Sequence, residues 1–111
     1  MFDYDGSSVA LLDAATATGA GVASAPRRVR RAFHARGATT AGAGSVTVVI
    51  EVSLVPTPTE TDWLTLGTIT LTLSTTPTGD GFATDSPWRW VRGRVSAISG
   101  TGAAVSLWLG T

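Results

Sequence analysis

Apolar and polar residues alternate most cleanly between Ser45 and Leu54. Val46, Val48, Ile50, Val52 and Leu54 form one series, Ser45, Thr47, Glu51 and Ser53 the other, and only Val49 breaks the second. A period of two is the pattern of an extended strand with one face in a core. The same period recurs from Arg27 to Arg36, where Val29, Arg31, Phe33 and Ala35 share one face and Arg28, Arg30, His34 and Arg36 the other. Between Trp63 and Ser74 the apolar series moves from even positions (Leu64, Leu66) to odd ones (Ile69, Leu71, Leu73), with Gly67 beside the change. An extra residue that resets the pleat explains such a shift, so a β-bulge is expected there. Trp88 to Ile98 reads as a strand with Val91, Val95 and Ala97 on one face and Trp88, Trp90, Arg92 and Arg94 on the other. Ala103, Val105, Leu107 and Leu109 close the series, with Trp108 on the opposite face.

The intervening segments are rich in turn residues. VPTPTETD reads as a loop and TTPTGDG as a turn leading into FATDSP. TTAGAGSVTVVIEV and ISGTGAAVSLWL each place a small, glycine-containing turn before a valine-led strand, which predicts similar hairpin geometry twice. No segment of ten residues carries a helical apolar period. The fold class is therefore all-β: a single-domain antiparallel β-sandwich or jelly roll over residues 26–111, preceded by an N-terminal arm or loosely packed first strand at residues 1–25. The short apolar run Val9–Leu12 fits either a brief strand or one helical turn.

A chain of 111 residues suits one core. Charged residues make up only 14%, which leaves much of the surface to Thr, Ser, Gly and Ala and favours assembly. The net charge of zero argues against nucleic acid as a partner, since phosphate binding needs a basic excess. With no cysteine, disulfides and thiolate chemistry are excluded. Acidic residues near the N-terminus and the lack of an apolar run of about 20 residues argue against a secretory signal and a membrane span.

Catalytic chemistry finds little support. His34 has no carboxylate or second histidine at a suggestive spacing, and the flanking arginines oppose a bound cation. The eight carboxylates are scattered, and no two are marked as an acid–base pair. Thr78–Gly81 (TGDG) has the oxygen-rich look of a calcium loop but lacks the alternating ligands and the closing acid. An Asp-Gly turn is the simpler reading, and no enzyme activity, metal or cofactor is expected. The interface candidates are Arg28, Arg30, Arg36, Trp88, Trp90, Arg92, Arg94 and Trp108. Were their strands neighbours, the arginines would make one basic face with indoles beside it. Large indoles opposite the aliphatic series imply either a covered second face or a contact with another chain. A sugar-stacking platform is the other reading.

The order DWLTLGTITL at Asp62–Leu71, SPWRWVR at Ser86–Arg92 and AISGTGA at Ala97–Ala103 resembles small β-sandwich virion proteins of tailed bacteriophages. The likeness spans roughly residues 45 to 109. Such proteins often carry a turn of the form S-x-D-G-x-x-W before the first of these strands, and here SLVPTPTETDW stands in its place. The resemblance implies a capsid decoration, or cement, protein at the capsid surface of the virion. It implies the major capsid protein as partner and a homo-oligomer, with a trimer favoured over a dimer. A tail-fibre, neck or baseplate module binding a receptor or glycan is the alternative. The resemblance carries no catalytic position.

Overall fold

The computed structural model describes residues 8–111. Eight strands follow one another: β1 (Ser8–Ala15), β2 (Gly19–Ala20), β3 (Arg30–Ala38), β4 (Ala41–Ser53), β5 (Leu64–Leu73), β6 (Thr78–Asp85), β7 (Trp90–Thr101) and β8 (Ala104–Gly110), with one 3-10 turn at Glu60–Asp62. Their pairing is nested, β1 with β8, β2 with β7, β3 with β6 and β4 with β5, all antiparallel. Rolling that nested hairpin brings β8 against β3 and β7 against β4. The result is two four-stranded sheets, β1-β8-β3-β6 and β2-β7-β4-β5, which is the strand order of a double-sheet jelly roll.

The core lies between the sheets and is built from the alternating series. Phe33 and Ala35 of β3, Val46 to Val52 at even positions of β4, Ile69, Leu71 and Leu73 of β5, Val91 and Val95 of β7, and Val105, Leu107 and Leu109 of β8 are all buried. The expected bulge lies in β5: Ile50 faces Gly67 and Glu51 faces Thr65, so Leu66 is the extra residue. Gly67 has a second reason to be glycine. A Cβ there would come within 2.7 Å of the Phe82 ring, which reaches across from the other sheet and packs on Phe33 with ring centroids 5.2 Å apart.

Four local expectations change. The strand at Trp88 begins instead at Trp90 and runs to Thr101, and Ala97 is exposed. The cause is a bulge: Val48 pairs with Val95 but Thr47 with Ala97, so Ser96 is the extra residue and Ile98 takes the core side. TGDG is not a turn or a calcium loop but the start of β6, paired with Ala35, Arg36 and Gly37 of β3. Tertiary pairing overrides its turn composition. Leu54 and Val29, expected inward, are exposed because β4 stops at Ser53 before two prolines and β3 does not begin until Arg30. The two glycine-rich segments are corners rather than hairpins, since each connects strands of different sheets. They lie side by side, with Thr40 donating its N–H to the Thr101 carbonyl at 2.9 Å, and Gly102, at φ +63°, leaves room for the Thr40 side chain.

From Ser8 onward the expected arm is structural. β1 pairs along β8, and Leu11 and Leu12 enter the core. The rest of the expected arm, residues 1–7, lies outside the described residues. Arg31 does share the inner face with Phe33 and is 2% exposed. Its Nε and Nη2 donate to the carbonyls of Arg28 and Pro26, while its Nη1 has no hydrogen-bond partner among the described residues. Burial pushes its pKa down, though a guanidinium stays charged.

Candidate functional sites

The interface candidates fall on two opposite sides of the molecule, so the single basic face does not form. Arg30, Arg36 and Trp108 belong to the outer face of β1-β8-β3-β6, with Arg28 in the loop before β3, whereas Trp90, Arg92 and Arg94 lie on β7 of the other sheet. Trp88 precedes β7 and packs against the core.

On the first side, Trp108 and His34 face each other across the β3–β8 ladder, their rings 5.7 Å apart and tilted by 50°. Trp108 is flanked on its other side by Ala10, and His34 by Gly81. The rows above and below set Ala32 between Gly110 and Ala83, and Arg36 between Ser106 and Gly79. The result is a face of small side chains from which one indole, one imidazole and the exposed Arg36 rise. Arg30 pairs with Asp85 at 3.4 Å, with both side chains largely in solvent, where such a pair contributes little.

On the second side the outer face is roofed at one end. Arg92 and Glu51 are directly opposed on β7 and β4, and the loop after β4 folds over them. Its 3-10 turn is fixed by Asp62, whose Oδ2 accepts from the Thr59 N–H at 2.7 Å and the Thr59 hydroxyl at 2.9 Å. That turn delivers two groups to Arg92. Glu60 accepts from Nη1 at 2.8 Å and from Nη2 at 3.2 Å, and Trp63 receives the guanidinium over its ring at 4.3 Å. Nε donates to Glu51 at 2.8 Å. Arg94 adds a 3.3 Å contact to Glu51. Arg92 is therefore buried at 5% exposure despite an outward-facing position. Trp90 is anchored by its Nε1–H, which donates to the Pro56 carbonyl at 3.3 Å, and Arg89 lies 5.7 Å from its ring. Between Trp63 and Trp90 runs a groove of about 400 Å³, lined also by Ala23, Pro56, Thr57, Pro58, Glu60 and Arg92.

Hydrogen bonds from Arg92 and its charge hold the Glu60 carboxyl below the usual carboxylate range, against an opposing effect of desolvation and with the charge of Arg94 as the smallest contribution. A carboxylate with a depressed pKa stabilises the fold above its ordinary pKa, and that contribution is lost as pH falls through the folded value. Glu60→Gln is thus expected to lower Tm modestly at neutral pH, where the wild-type carboxylate is charged, and to converge with wild type at acid pH, so that the acid limb of its Tm-against-pH curve is flatter. An unchanged acid limb would show that the pair adds nothing to stability.

Sequence reasoning did not single out Trp63, Glu60 or Glu51 as site residues. The available signal was Glu51 at an outward strand position with Arg92 and Arg94 two apart on another strand, together with an acidic turn, ETD, ending directly at Trp63. The molecule is thus a jelly-roll β-sandwich carrying a flat face of small residues on one sheet and an aromatic groove on the other. Comparison with protein-family models, curated proteins and solved structures gives no match.

Proposed function

We propose that this chain is a virion structural protein that decorates or cements a tailed-phage capsid, binding the outer surface of the major capsid protein as a homo-oligomer. The observation that carries this reading is the Trp108–His34–Arg36 face. Backbone-level flatness from Ala10, Ala32, Gly81 and Ala83 lets a second surface approach closely, and a half-buried indole within it is the usual anchor of a protein interface. The jelly roll is compatible by analogy, since the architecture serves in capsid proteins, although a fold alone assigns no function. Mechanically, area buried across capsomer seams would resist internal pressure, with stabilisation that grows by mass action.

The test adds purified protein to heads that lack it and measures bound protein and heat resistance. Wild type should bind and raise the temperature of genome release. Trp108→Ser combined with Arg36→Glu, folded by circular dichroism, should bind at least about tenfold more weakly, a loss of about 1.4 kcal/mol. Equal binding by the variant would remove this face from the account, and no binding by wild type would remove the capsid.

A further inference from the structure

We infer that the groove between Trp63 and Trp90 is a binding site for a neutral oligosaccharide, independent of the capsid reading and on the opposite sheet from the face that carries it. Four observations converge on that ligand class. First, two indoles line the same groove, and each is fixed before any ligand arrives, Trp63 by Arg92 at 4.3 Å and Trp90 by its bond to Pro56. A pre-oriented aromatic plane is what the C–H face of a sugar ring stacks on. Second, the volume of about 400 Å³ lies within the range of small-ligand sites.

Third, the charges on the lining cancel: Arg92 and Arg94 are matched by Glu51 and Glu60, and Arg89, 5.7 Å from the Trp90 ring, stands outside the lining residues. Fourth, the strongest open hydrogen-bonding group in the groove is an acceptor. The Trp90 Nε1–H is committed to Pro56 and each guanidinium nitrogen of Arg92 already donates to Glu51 or Glu60, which leaves the Thr57 hydroxyl as an uncharged donor or acceptor on the lining. The Glu60 side chain, by contrast, is 73% exposed and each oxygen has lone-pair capacity beyond its bond to Arg92. A ligand rich in hydroxyl donors satisfies that carboxylate. A proline-rich peptide, which presents carbonyl acceptors and few donors, does not, and a wholly apolar ligand would leave the carboxylate covered and unpaired.

The test is an NMR titration of the isotope-labelled full chain, following the indole N–H signals. The probes are maltotriose, cellotriose, mannotriose and triacetylchitotriose, to about 20 mM, enough to populate a site of millimolar Kd. At least one should shift the Trp63 and Trp90 signals together and leave Trp108 still. Binding should weaken about tenfold or more in Trp90→Ala and clearly in Glu60→Gln, the second variant guarding against loss of fold in the first. Trp108→Ser should bind the sugar as wild type does, whatever its behaviour toward heads. Sialyllactose should gain nothing over the neutral sugars. The proposal is overturned if no neutral sugar moves the two indoles, if the shifts persist unchanged in both groove variants, or if a decaproline peptide binds where the sugars do not.

Discussion

Arg92→Ala is expected to lower stability by about 3 kcal/mol, the lower end of what removing one partner of a buried ion pair costs. The lower end applies because Glu51, with its side chain at 11% exposure, keeps the 3.3 Å contact to Arg94 when Arg92 is gone. At roughly 4 °C per kcal/mol for a domain of this size, the melting temperature should fall by about 12 °C. The same account requires that Arg92→Leu with Glu51→Leu recover most of the loss, since a buried pair replaced by apolar residues of similar volume is close to neutral. Thermal unfolding of the two variants settles it. A fall of under about 1 kcal/mol for Arg92→Ala would mean that water reaches Glu51 and that the loop roof is loose.

Phe33→Ala should have a comparable effect, about 3–5 kcal/mol, through the cavity left when a buried ring is removed. Phe33 is 1% exposed, lies beside Leu109 on the β8 side and Phe82 on the β6 side, and its ring contact with Phe82 bridges to β5 over Gly67. Losing it unseats Phe82 as well, so relaxation cannot refill the space with one side chain. Against a typical domain stability of about 5–15 kcal/mol, this is a large fraction. Urea unfolding should show a lower midpoint with an unchanged slope. A midpoint close to wild type would show that the β5–β6 end of the core is not packed as described.

What was legible in the chain follows from period-two alternation. Val46 to Val52, Ile69 to Leu73 and Val105 to Leu109 announce strands with one dry face, and the phase change beside Gly67 announces a bulge. The strand TGDG was illegible because its composition is that of a turn and only its partner β3 makes it extended. The Ser96 bulge was hidden because Ala97 and Ile98 are both acceptable on a core face. The corners looked like hairpins because local sequence reports that the chain turns, not which sheet it turns into. The same limit governed the sites. Arg28, Arg30 and Arg36 were separable from Arg92 and Arg94 only by knowing that β3 and β7 belong to different sheets. That Arg92 is buried depended on a loop ten residues long crossing its strand, a long-range contact with Glu60 and Trp63 that no local pattern encodes.

The Trp108 face is proposed to attach to a large, repeated partner, and the Trp63–Trp90 groove to recognise a small one. Attachment is the central claim, and copy number in purified virions tests it most directly. Quantitative gel densitometry against the major capsid protein should give copies in the hundreds per particle, as a module bound at every capsomer junction requires, with loss of head stability when it is absent. A handful of copies, with intact heads and lost adsorption, would contradict the capsid reading and identify a tail, neck or baseplate module instead.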